Sequence, residues 1–129
     1  MKRAQTYALV FALTLTSTAA TAIAGKRVEI PVSISSRFAQ GALADARASA
    51  DNNQYIGCYT TEYSGTCVAI DAATEASAAC TTQDPEQLAV IRSITTESAI
   101  VFSWNRDGTC RTVTVWTSSF LKPAATSGY

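Results

Sequence analysis

Four cysteines, Cys58, Cys67, Cys80 and Cys110, stand in a chain of 129 residues that has no histidine. Consecutive cysteines are never closer than nine positions. Zinc sites are built from close pairs such as C-x2-C, completed by further cysteine or by histidine. A metal reading therefore fails, and the even count points to two disulfides. Disulfides persist in oxidising compartments, so the chain should work outside the cytoplasm, secreted or periplasmic.

The first residues agree. Met1-Lys2-Arg3 is a basic start, Tyr7 to Leu15 is apolar, and Thr16 to Ala24 is a run of small residues. Ala22-Ile23-Ala24 fits the small-x-small rule for signal peptidase, with Ala20-Thr21-Ala22 as a nearby rival. Residues 1–24 thus read as a cleavable signal peptide. The apolar stretch is well short of the roughly 20 residues that span a bilayer. Cleavage leaves 105 of the 129 residues, enough for one domain over 25–123. Ten basic and ten acidic residues balance in the whole chain. Losing Lys2 and Arg3 leaves eight against ten, a net charge of −2. That argues against nucleic acid or an anionic membrane as partner, and no later run is suited to membrane insertion.

Val28, Ile30, Val32 and Ile34 alternate with polar residues and Pro31, which predicts a strand at a sheet edge. From Ser35 or Ser36 to about Ala50 the spacing of Ala39, Leu43, Ala46 and Ala50 predicts a helix, although Gly41 weakens it. Asp51-Asn52-Asn53 reads as a loop. Residues 54–61 and 66–71 read as strands joined through Glu62-Tyr63-Ser64-Gly65, and 77–81 as a shorter third strand. Asp84-Pro85-Glu86-Gln87 is a helix start, with Asp84 as cap and Pro85 in the first turn. Leu88, Ile91 and Ile94 should form its buried stripe. Residues 99–104 and 110–117 flank Asp107-Gly108, a preferred hairpin turn. Centring the turn there sets Ile100 opposite Val115 and Phe102 opposite Val113; a one-residue slip would set them against threonines. Residues 124–129 read as a loose tail. The expected fold is α+β, an antiparallel sheet of about five or six strands with two short helices on one face and two disulfides.

Gly65-Thr66-Cys67 and Gly108-Thr109-Cys110 both open the second strand of a hairpin. If the first hairpin copies the second, Cys58 and Cys67 lie about 13 Å apart along the sheet, beyond the roughly 7 Å limit for a bridge. A strand at 77–81 folded beside 67–71 would set Cys80 opposite Cys67. These registers favour Cys67–Cys80 with Cys58–Cys110.

The run Ala46-Arg47-x-Ser49-Ala50-Asp51-x-x-Gln54-Tyr55-Ile56-Gly57-Cys58 resembles small, uncharacterised exported bacterial proteins. So do Cys80-x-Thr82-x-x-Pro85, Phe102-x-Trp104 and Gly108-Thr109-Cys110, over about residues 41–123. The resemblance implies bacterial export and carries over no functional residue.

The absence of histidine removes the commonest general base. Beyond residue 24 the lysines are Lys26 and Lys122, near the two ends, and neither lies in a serine–lysine motif. Oxidised cysteines supply no nucleophile. Glu62 with Glu75, or Asp71 with Asp107, could form glycosidase-type carboxylate pairs, but all four fall in or beside turns. Asp51-Asn52-Asn53 lacks the later ligands and glycine of an EF-hand loop. No catalytic residue, metal or cofactor is therefore expected. Tyr55, Tyr59 and Tyr63 alternate along one strand region and can share a face. Trp104 stands beside the Asn105-Arg106-Asp107-Gly108 turn, opposite Arg111. These five residues are the candidate binding surface, for an extracellular protein or a polysaccharide. The leading expectation is a small binding or surface-structural module rather than an enzyme. An inhibitor or toxin-like effector of an extracellular enzyme comes next, and a carbohydrate-active hydrolase after it.

Overall fold

Residues 28–121 are the part of the chain described by the computed structural model. The signal segment 1–24, Lys26, Lys122 and the tail 124–129 lie outside the described residues. In chain order the elements are β1 (Ser33–Ser35), β2 (Phe38–Ala42), α1 (Leu43–Arg47), β3 (Tyr55–Thr60), β4 (Gly65–Ile70), β5 (Ser77–Thr82), α2 (Pro85–Arg92), β6 (Ala99–Trp104) and β7 (Cys110–Trp116). All strand pairs are antiparallel. The class is α+β as expected, but the strands divide into two sheets, β1-β2-β6-β7 and β3-β4-β5.

The extra strand comes from the segment expected to be helical. Its small residues suit a strand just as well: Ala39 and Gly41 are buried while Phe38 is exposed, a period of two rather than 3.6. Ser36, in the left-handed region at φ 49°, turns β1 into β2. Gly41 is there for closeness. A Cβ at that position would lie 3.1 Å from the Val32 Cα and 3.2 Å from the Ile56 Cγ2. Only the end of the expected helix survives, as the single turn of α1.

The first strand is shorter than its pattern suggests, beginning at Ser33 after Pro31, and it stands at a sheet edge. N–H groups of the strand and of the segment leading into it are taken by side chains. Ile30 N donates to Asp45 Oδ2 (2.7 Å), Val32 N to Gln54 Oε1 (3.1 Å) and Ile34 N to Asp71 Oδ2 (3.3 Å). An edge covered in this way offers few free donors to another chain.

The second hairpin keeps its predicted register: Ile100 faces Val115 and Phe102 faces Val113. Its turn is different. Gly108, at φ 82°, donates to Asn105 O (3.1 Å), and Asn105 N donates to Thr109 O (2.9 Å), which makes a three-residue loop centred on Asp107. A three-residue loop alone would displace the register by one. A bulge restores it: Ser103 faces Thr112, Trp104 faces Cys110, and Arg111 is left over.

The first hairpin does not copy the second. Thr60 faces Gly65, so the loop is Thr61-Glu62-Tyr63-Ser64 and not a turn at Ser64-Gly65. The four-residue loop is closed by Thr61 N to Ser64 O (2.8 Å) and by the two hydroxyls at 2.8 Å. Cys58 therefore faces Cys67 directly. The disulfides are Cys58–Cys67 and Cys80–Cys110, which corrects the pairing drawn from the copied register. Cys80 does stand opposite Cys67, as the third strand predicts, but its bond goes to the other sheet.

The helix start at Asp84 forms as read. Asp84 Oδ1 accepts from Glu86 N (2.8 Å) and Gln87 N (3.3 Å), and Pro85 occupies the first turn. Leu88 and Ile91 are buried, and Ile94 is packed against the core at its margin. Gln87 faces the bulge, donating from Nε2 to the carbonyls of Cys110 (3.5 Å) and Arg111 (3.3 Å). The core lies between the two sheets. Ala39, Ile100, Phe102 and Val113 come from one; Ile56, Cys67, Ala69, Ala78 and Cys80 from the other; Ile91 joins from α2.

Candidate functional site

Strand parity decides which side chains the three-stranded sheet shows to solvent. Ile56, Cys67, Ala69, Ala78 and Cys80 point into the core, so the alternate residues form the outer face. Its rows are Tyr55–Ile70–Ser77, Gly57–Val68–Ala79 and Tyr59–Thr66–Thr81. A 3.1 Å hydroxyl contact between Thr66 and Thr81 ties one end of it. No residue of these rows is charged.

Tyr55 is 50% exposed and Tyr59 61%, and both lie on this face. Gly57 between them has a definite use. A Cβ there would come 2.8 Å from the Tyr55 hydroxyl, so the ring of Tyr55 runs along the strand over the glycine. Tyr63, 73% exposed, lies beyond the strand in the Thr61–Ser64 loop. The two tyrosines are thus brought together, and the third stands on the adjoining loop.

Trp104 and Arg111 belong to the other sheet. Trp104 packs on Phe102 with ring centroids 5.8 Å apart, at the margin of the core. It faces Cys110 and not Arg111, which is exposed at the bulge. Two aromatic side chains outside the expected set are also exposed, Phe38 at 40% and Trp116 at 44%. Trp116 could have been found from its outward parity with Thr112 and Thr114. Phe38 was hidden by the helical reading of its segment.

Asp71, Asp107 and Asp51 are occupied with the chain itself. Asp71 is only 5% exposed; Oδ1 accepts from Ala73 N (2.9 Å) and Thr74 N (3.4 Å), and Oδ2 from Ile34 N. Burial acts to raise its pKa, but these hydrogen bonds together hold it below the usual aspartate value. Asp107 accepts from the hydroxyl (2.7 Å) and N–H (3.0 Å) of Thr109, which lower its pKa. Asp51 accepts from the N–H groups of Gln54 (2.8 Å) and Asn53 (2.7 Å) and from Gln54 Nε2 (2.7 Å), with the same effect. Glu62 lies in the Thr61–Ser64 loop, where Arg92 Nη2 bonds the carbonyls of Thr61 and Glu62, each at 3.2 Å. Glu75 sits in the turn before β5 at φ 59°. Among the described residues no group of three or more cysteine or acidic side chains could hold a metal ion.

A cleft of about 390 Å³ borders the tyrosine face, lined by Leu43, Ala46, Arg47, Tyr55, Cys58 and Ile94 among others. Among the described residues no helix is long and apolar enough to cross a membrane. No family model matches the chain, and no curated protein or solved structure is similar enough to count as a match.

Proposed function

We propose that the chain is an exported, disulfide-stapled binding module of bacterial type whose contact surface is the outer face of β3, β4 and β5. The observation that carries this reading is the pair Tyr55 and Tyr59, each at least half exposed on a sheet face without charge. Tyrosine gives a large rigid contact area with a hydroxyl at its end, and loses little side-chain entropy when held. The flanking Ile70, Val68, Thr66 and Thr81 extend the surface with apolar and hydroxyl groups. A face of this chemistry suits an uncharged partner, either a neutral polysaccharide or an apolar patch on an extracellular protein. Export is supported by the basic-then-apolar start of the chain, by the likeness to exported bacterial proteins and by the complete pairing of the cysteines. Binding is preferred to catalysis because Asp71 and Asp107 are spent on backbone and hydroxyl donors.

The test is affinity electrophoresis of the mature protein through a panel of neutral polysaccharides, with co-purification from the culture medium beside it. A Tyr55→Ala/Tyr59→Ala variant should lose at least tenfold in affinity for whatever the wild type retains. A Thr112→Ala/Thr114→Ala variant, altered on the outer face of the other sheet, should bind normally. Full binding by the tyrosine variant would end this reading.

A further inference from the structure

Cys67 has a cysteine opposite it on both sides. Cys58 faces it from β3 and Cys80 faces it from β5. Cys67 and Cys80 are buried on the same inner face, at 0% and 2% exposure. Directly opposed residues of an antiparallel pair hold their Cβ atoms roughly 4.5–5.5 Å apart. The three cysteines therefore form one row across the sheet, and Cys80 continues it to Cys110 on the other sheet. Access to the row is uneven. Cys58 is half-buried and borders the cleft beside α1, whereas Cys110 is 8% exposed.

We propose that Cys58 is a thiol-exchange site and that Cys67 relays the exchange to Cys80. The co-reactant is a small-molecule thiol, which the cleft has the volume to admit. Its thiolate attacks the Cys58 sulfur, forming a mixed disulfide and expelling the Cys67 thiolate. Cys67 then attacks Cys80, forming Cys67–Cys80 and expelling the Cys110 thiolate, which takes up the proton the entering thiol released. Two disulfides and one thiol become two disulfides and one thiol, so no net oxidation is required. Buried at 0% exposure, the Cys67 sulfur is shut off from solution, so after Cys58 the sulfur within its reach is that of Cys80 across the strand pair. The original Cys80–Cys110 bond fastens one sheet to the other, while the product bond lies within the three-stranded sheet. Exchange at Cys58 thus unfastens the two sheets from a distance.

The cleft also sets a preference. Arg47 is exposed there, and no acidic residue belongs to its lining. An anionic thiol should react faster than a cationic one.

The experiment treats the oxidised protein with one equivalent of mercaptoacetate, quenches in acid and alkylates free thiols. Unreduced digestion after Glu62, Glu75, Glu86 and Glu97 then puts every cysteine on its own peptide. The expected products are a mercaptoacetate adduct on the Cys58 peptide, peptide 63–75 joined to 76–86, and alkylated Cys110. Alkylated Cys67 with Cys80 still joined to Cys110 would overturn the relay. A first adduct on Cys80 or Cys110, or no adduct at all, would overturn the assignment of Cys58. Cysteamine should react several-fold more slowly, and Arg47→Gln should remove the difference; equal rates in the wild type would overturn the preference. In Cys58→Ala/Cys67→Ala the Cys80–Cys110 bond should resist the same dose, and cleavage at the wild-type rate would sink the proposal. Should that variant not fold, the wild-type peptide map decides alone.

Discussion

Trp104 stands opposite Cys110, whereas its neighbour Ser103 stands opposite Thr112. That one-residue mismatch directs the second disulfide. Val113 points into the core, so in an unbroken strand Cys110 would point out with Thr112 and Thr114. The extra residue, Arg111, resets the parity and turns Cys110 inward to Cys80. The three-residue loop at Arg106-Asp107-Gly108 displaces the ladder one way and the bulge returns it.

Removing the extra residue should then leave Cys110 pointing inward. A chain lacking Arg111 is expected to keep Cys80–Cys110 and to lose less than about 2 kcal/mol. Loss of the bridge itself would cost about 2–5 kcal/mol. Thiol titration and urea unfolding give both quantities. Two free thiols in the deletion variant would show that the bulge does more than set parity.

Gly41→Ala separates the observed strand from the helix its sequence suggests. In an exposed helix interior the change would stabilise by about 1 kcal/mol. In β2 the new Cβ would meet the Val32 Cα at 3.1 Å and the Ile56 Cγ2 at 3.2 Å. Such overpacking should destabilise by about 1–3 kcal/mol. The sign of the change in urea midpoint is the readout.

How far the sequence could be read depended on whether one residue had one physical use. Asp84 and Pro85 announce a helix start because capping and a fixed φ suit hardly any other structure, and α2 begins there. Ile100, Phe102, Val113 and Val115 found their partners because a slip would have set them against threonines. The alanines of residues 39–50 carried no such preference. They pack closely in helix or strand, and the decisive contact, Gly41 against Val32, joins residues that no local pattern connects. The first hairpin failed for a related reason. Its loop is held by Thr61 and Ser64 and by Arg92 from α2, not by a turn dipeptide. An error there moved Cys58 away from Cys67 and so changed both disulfides. On the candidate surface, period two rightly put Tyr55 and Tyr59 on one face. It could not show that the strand stops before Tyr63; the inward turn of Trp104, by contrast, follows from its shared parity with Ile100 and Phe102.

Phe102 is fully buried between Ala39 on β2 and Val113 on β7. Its replacement by alanine should cost about 3–5 kcal/mol in chemical denaturation. Cross-strand NMR contacts should join Phe102 to Val113 and Ile100 to Val115. A loss below about 1 kcal/mol would mean that this face is not core.

Asp71 links β1 to the turn after β4, and the link should be visible as a dependence of stability on pH. Hydrogen bonds from Ala73, Ile34 and Thr74 outweigh its burial and hold its folded-state pKa below the ordinary aspartate value. The unfolded chain therefore binds the proton first as pH falls. The stability contributed by the ionised group is complete above the unfolded pKa, near 3.9. It is lost as pH falls from there through the lowered folded value. Asp71→Asn removes this titration while keeping an oxygen to accept from the backbone. The variant should be less stable than wild type at neutral pH, and the gap should narrow as pH falls below about 4. Asp51 and Asp107, shifted the same way by their own hydrogen bonds, will leave some acid sensitivity in the variant. Urea unfolding of both proteins between neutral and strongly acidic pH measures the gap directly. A gap that stays constant across that range would mean the carboxylate's charge contributes nothing to holding Ile34 and the turn.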